Sequence, residues 1–181
     1  MTKTATFIIG IFICSFFISC DTTTSKQTKS LATIDSAATF KIAPKEYKAI
    51  KYIDSFLNAN NDAIKKNTAL KEHYEGLCTK QLLPLIDKKG LYNDLPFKLA
   101  VTTIHNGTAY GNFIYDDDKH YVKVTCIIKK EQLEKLQENN KYLIKFKTAK
   151  FEEGVSFENE FSRIELPTAN GYLTSFTPYA D

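Results

Sequence analysis

The densest chemistry in this chain lies in six consecutive residues, Tyr115-Asp116-Asp117-Asp118-Lys119-His120. Three carboxylates beside an imidazole could hold Ca²⁺ or another divalent ion. Adjacent Asp side chains diverge in extended backbone, however, and the D-x-D-x-D-G spacing of a calcium loop is absent. The segment reads as a solvated turn between two strands. His73 falls on a helical stripe and His105 precedes an Asn-Gly pair, so the three histidines make no recognised ligand set and no metal is assigned. The aromatics Tyr110, Phe113, Tyr115 and Tyr121 flank the acidic run and are the candidate binding face. They could meet a sugar, a peptide or a base, or simply the core, where aromatics ordinarily go. Cys78 and Cys126 are an even pair and a candidate disulfide; the alternative is two small buried apolar side chains. The sequence has no G-x-S-x-G, H-E-x-x-H, C-x-x-C, phosphate loop or dinucleotide fingerprint, so neither catalytic residues nor a cofactor are assigned.

These residues need elements to hold them. From Pro44 to Gly90 the apolar pattern is helical, with Ile50, Ile53, Leu57 and Ile64 on one stripe. A second helical piece runs through Leu70, His73, Tyr74 and Leu77 and ends between Gly76 and Thr79. A third follows, with Thr79 as N-cap, Pro84 inside and Gly90 as its stop. After Pro96 the period becomes two. Phe97, Leu99 and Val101 alternate with polar or small neighbours. Asn106-Gly107 marks a hairpin, and Val122, Val124, Cys126 and Ile128 share a face. Lys129 to Asn140 reads as a short amphipathic helix carrying Leu133 and Leu136. Tyr142, Ile144 and Phe146 then point inward from another strand, and "VSFENEFSRIEL" closes the sheet before Pro167.

The expected class is α+β: N-terminal helices over residues 44–92, then a five-stranded antiparallel barrel over 93–181 with a short helix between strands 3 and 4. That order resembles the OB-fold, in particular the small periplasmic lipoproteins of tRNA-anticodon-like type, over about Asp94 to Leu166. The alternative is a cystatin- or NTF2-like fold, helices on a curved antiparallel sheet. A helix at 129–140 fits the barrel and a strand there fits the curved sheet.

The chain opens with an address. Lys3 precedes a twelve-residue, mostly apolar run, Phe7 to Ile18, short of the roughly 20 residues of a permanent span. Basic start, short apolar stretch and small exit residues make a signal peptide over 1–19. Phe17-Ile18-Ser19-Cys20 resembles a bacterial lipobox of Bacteroidota type. The resemblance implies cleavage before Cys20 and lipid on its sulfur and amine, hence a lipoprotein held on a membrane of the cell envelope, periplasmic or surface-exposed. A plain secretory cut or an uncleaved anchor is the alternative. Residues 20–43, rich in Thr, Ser and Lys, read as a disordered tether. Within it Asp35-Ser36-Ala37 resembles the acceptor of an O-glycosylation system known in Bacteroidota, which makes Ser36 a candidate glycosylation site.

The net charge of the 181 residues is +3, and Arg163 is the only arginine. Polyanion sites favour the bidentate guanidinium, and the triple Asp would repel phosphate, so nucleic acid is not an expected partner. The expected function is a non-enzymatic binding module for a protein, peptide or glycan. The alternative is an envelope enzyme whose active site is dispersed and carries no motif.

Overall fold

The structure, a computed structural model, describes residues 46–158 and 161–180, which belong to one compact unit. The signal, Cys20, the tether with Ser36, and Pro44 lie outside the described residues.

Two helices come first. α1, Lys48–Ile64, buries Ala49, Ile53, Leu57 and Ile64 at helical spacing. Its first turn is capped from a distance: Lys48 N donates to Asp94 Oδ2 at 3.2 Å. α2, Thr68–Lys89, is one helix where two were expected. Asn67 caps it by accepting from Leu70 N at 2.9 Å, and Gly90 stops it in the left-handed region at φ 59°. Thr79 does not open a new helix. Its hydroxyl bonds back to Glu75 O, as a mid-helix Thr can, and also accepts Val155 N, both at 2.8 Å. Pro84 is accommodated inside. Among the described residues no helix is long and apolar enough to cross a membrane.

Seven strands follow: β1 Pro96–His105, β2 Thr108–Asp116, β3 His120–Ile128, β4 Lys141–Phe151, β5 Ser156–Glu158, β6 Arg163–Glu165 and β7 Ala169–Pro178. β1 pairs β2, β2 pairs β3, β3 pairs β7, β7 pairs β4 and β4 pairs the start of β1, so five strands close into a barrel. The class is therefore α+β with a barrel, but the expected all-antiparallel sheet is corrected. β7 and β6 both run parallel to β3, and the barrel is mixed. The closing strand also differs. "VSFENEFSRIEL" makes only the short β5–β6 pair at the foot of β3, whereas β7, to which no strand was assigned, completes the ring.

The segment expected to be a helix over 129–140 is a single helical turn, α3 Lys130–Leu133, followed by turns. Tertiary partners take its backbone first. Gln137 N donates to Tyr142 Oη at 2.8 Å, and Asn139, at φ 69°, donates its N–H to Leu99 O at 2.7 Å. Leu136 is buried and Leu133 packs against the core. The segment is not a strand, which is the feature that separates the barrel from the curved sheet.

Inside, β3 alternates without fault, burying His120, Val122, Val124, Cys126 and Ile128. β1 does not. A bulge between Leu99 and Val101 turns Val101 outward, 39% exposed, against the expected inward position. The Asn106-Gly107 turn has both residues at positive φ, 49° and 76°, as a two-residue hairpin requires.

Candidate functional site

Outward residues of β2, β3 and β7 stand in rows across the barrel wall. Register puts Tyr110 beside Ile127 and Ile127 beside Tyr172; one step along, Asn112 is beside Thr125 and Thr125 beside Asn170. The first row is aromatic and aliphatic, the second amide and hydroxyl. Thr125 Oγ1 donates to Asn112 Oδ1 at 2.8 Å, fixing the second row. β4 completes the site. Its ladder with β7 is irregular between Thr148 and Lys150, and such a bulge bends a strand away from its neighbour. Beside it is a cleft of about 300 Å³ lined by Tyr110, Thr125, Ile127, Ala149, Lys150, Asn170, Gly171 and Tyr172. Tyr172 is 51% exposed. Gly171 is dictated by packing, because a Cβ there would lie 2.3 Å from Lys147 O.

Cations border this cleft: Lys150 lines it, and exposed Lys147 stands in register beside Tyr172. Lys150 Nζ is 3.0 Å from Glu152 Oε1. Hydrogen bonds from Lys150 and then Asn170 hold the Glu152 carboxyl below its ordinary range. Asn170 Oδ1 is sealed from solvent and has no hydrogen-bond donor. An acceptor left so costs about 1–3 kcal/mol.

The four aromatics singled out from the sequence do not form one face. Tyr110 lines the cleft, and Tyr121 also faces outward but is covered by Arg163, whose Cζ lies 4.9 Å from the ring centroid. Phe113 is fully buried, and Tyr115 is buried, set edge-on to Tyr47 with ring centroids 5.8 Å apart. The reason is strand parity: Tyr110 is three residues from Phe113 and five from Tyr115, so it falls on the opposite side of β2 from both.

The acidic run makes the β2–β3 turn, as expected, but is knitted to the protein rather than merely solvated. Asp117 accepts His120 N at 2.6 Å, Lys119 N at 3.2 Å and Tyr115 Oη at 2.8 Å. His120 is 3% exposed. Its Nδ1 is 3.0 Å from Asp117 Oδ2, and its Nε2 is 3.2 Å from Asp54 Oδ1 on α1. Lys119 Nζ reaches the same Asp54 oxygen at 2.5 Å. Burial works to raise the Asp117 carboxyl, but bonds from the His120 backbone, Tyr115 and the His120 ring outweigh it and hold it low. Burial, then the bond to Asp117, pushes the Tyr115 phenol up. A hollow of about 720 Å³ adjoins this clasp, lined by Tyr47, Ile50, Lys51, Asp54, Tyr115 and Asp117 among others.

His73 packs edge-on to Tyr74, centroids 5.4 Å apart, and exposed His105 contacts Asn106. No cluster of three or more metal-ligating side chains occurs among the described residues. Cys78 on α2 and Cys126 on β3 are buried free thiols, not the candidate disulfide, and burial pushes each up to about 12. The sequence reading missed Ile127, Asn170 and Tyr172. The alternation of Gly171, Leu173 and Ser175 with Asn170, Tyr172 and Thr174 was the available signal, diluted by small residues. Comparison with protein-family models, curated proteins and solved structures finds no match to this chain.

Proposed function

We propose that this chain is a cell-envelope lipoprotein anchored by lipid at Cys20, whose folded part is a non-enzymatic binding module on an OB-type barrel. The strand circuit β1-β2-β3-β7-β4, with a helical turn after β3, supports the OB reading. The observation that carries the binding role is the cleft around Tyr110, Ile127 and Tyr172: concave, mostly apolar, with a few convergent polar groups. Its occupant is a protein, peptide or glycan of the envelope.

The enzyme reading rests on the clasp, where Asp117 and Tyr115 both have shifted acidities beside a hollow. Those shifts run the wrong way for acid–base work. The carboxyl moves further below neutrality and the phenol further above it, while proton transfer needs groups poised near the working pH. Both His120 nitrogens are occupied by carboxylates and the ring is buried.

Two experiments test the reading. Cys20→Ala should move the protein from the membrane fraction to the soluble or unprocessed pool and abolish fatty-acid labelling; persistent labelling would refute the anchor. A photo-crosslinking residue at Tyr172 should give envelope adducts that the same residue at Tyr121, under Arg163, does not. Equal adducts from both positions would refute the cleft.

A further inference from the structure

We infer that the free edge of β4, from Ile144 to Phe151, takes up an extended acidic peptide as an added strand, with its carboxylates on Lys145 and Lys147. The inference rests on the binding-module reading above and names a partner class for it, but its surface is the edge of β4 beside the cleft.

β4 meets β1 only at Lys141, Tyr142 and Leu143. From Ile144 to Phe151 no strand pairs with it on the side away from β7. Two carbonyls show which way its ladder points. Lys145 O accepts the Thr174 hydroxyl of β7 at 2.8 Å, and Lys147 O is the atom that a Cβ on Gly171 of β7 would strike. Both therefore face β7. Backbone groups alternate along a strand, so the N–H and C=O of Phe146 and Thr148 face the free edge. β1 shows the contrast. Its edge beyond Lys98 is sealed, because Leu99 bonds Asn139 and Asn140, and Thr102 N donates to Glu138 Oε1 at 2.6 Å. The fold covers one edge and leaves the other as a template.

Charge selects the occupant. Lys145 and Lys147 are exposed, stand two apart on the outer face, and meet no carboxylate among the described residues. Lys150, further along, already has Glu152. Pairing with the same edge of a second copy would set lysine against lysine, which sheets disfavour. The segment 21–43 of this chain matches no better, with Lys26, Lys29 and Lys41 against Asp21 and Asp35.

A guest with carboxylates at alternate positions reproduces the lysine spacing of about 7 Å. Its intervening side chain falls on the other pleat, beside half-buried Phe146, and is therefore apolar. Main-chain bonds to Phe146 and Thr148 then supply affinity, and the lysines supply selection. A nucleic-acid strand would bring the charge but no amide ladder.

The test uses the full-length lipoprotein in detergent and a fluorescent peptide of sequence TEVEVET, followed by anisotropy. The controls are the same peptide N-methylated at every Glu and Val, a version with its three glutamates consecutive, and TKVKVKT. TEVEVET should bind, more weakly as salt rises from about 0.05 to 0.5 M and screens its charges. N-methylation and the consecutive order should each weaken it at least about tenfold. Lys145→Glu together with Lys147→Glu should exchange the preference, releasing TEVEVET and taking up TKVKVKT. No binding of TEVEVET by the parent protein overturns the inference. So does equal binding of the methylated or reordered peptide, which would mean charge attraction without a strand. A double variant that holds TEVEVET at parent affinity overturns it too. The peptide comparisons need only the parent protein, so they decide whether or not the variant folds. If the edge fails while a crosslinker at residue 172 still gives envelope adducts, the module reading survives and only the edge falls.

Discussion

Two regions of this barrel use their residues in opposite ways. The clasp at the β2–β3 turn holds two carboxylates, an imidazole, an ammonium and a phenol within hydrogen-bonding reach of one another. They form one chain, Tyr115–Asp117–His120–Asp54–Lys119, and the two bonds to Asp54 cross between the turn and α1. The cleft on the wall is lined by two tyrosines, an isoleucine, a threonine and an asparagine, with Lys150 at its side. Reactive side chains do structural work in the first region, and unreactive ones form the surface available to a guest in the second. A dense run of titratable residues is thus weak evidence of a site until its partners are known.

The sharpest break between inside and outside lies along β2. Phe113→Ala should cost about 3–5 kcal/mol by opening a cavity in a fully buried position. Tyr110→Ala, on the outer wall, should stay within about 1 kcal/mol. Urea unfolding of the two variants measures the ratio, and similar losses would mean that the two aromatics share one environment.

Removing the centre of the clasp should come next. Asp117→Ala strips the acceptor from Tyr115, from two backbone N–H groups and from the His120 ring. The expected loss is about 2–3 kcal/mol, moderated by partial exposure of Asp117. Calorimetry should show Tm falling by about 4–12 °C. The sign with pH follows from the lowered carboxyl. Such a group adds stability above the ordinary carboxylate range, near pH 4, and loses it as acid protonates the folded form. The variant should therefore match the parent most closely in acid and fall furthest behind near neutrality. A gap that widened on acidification would contradict this sign.

The smallest effect is chemical. With thiols pushed to about 12 in the core, Cys78 and Cys126 should resist alkylation at pH 8 in the folded protein and react once it is unfolded. Rapid labelling of the native protein would show that one of them opens to solvent.

Much of the framework was legible because local patterns are strong. Val122 to Ile128 alternate cleanly, the α1 stripe recurs at helical spacing, and Asn106-Gly107 specifies its own turn. The failures came where tertiary contacts outweighed local signals. Thr79 looks like a cap, yet its hydroxyl serves Val155 and its own helix. Lys129 to Asn140 has the composition of a helix, but Tyr142 and Leu99 take its backbone groups. Val101 is displaced by a bulge that no residue type announces. The cleft was half legible. Tyr110 stood out as an aromatic, whereas Tyr172 and Asn170 join it only because β7 inserts between β3 and β4, a pairing across more than forty residues that periodicity cannot encode.

That insertion also orders events in time. β3 and β4 are complete by residue 151, but the strand that joins them spans Ala169–Pro178. A chain emerging from its N-terminus would hold both edges unpaired while some twenty-seven further residues appear. Ring closure is thus a late, long-range event, the sort that slows folding and leaves sheet edges open to the wrong partners.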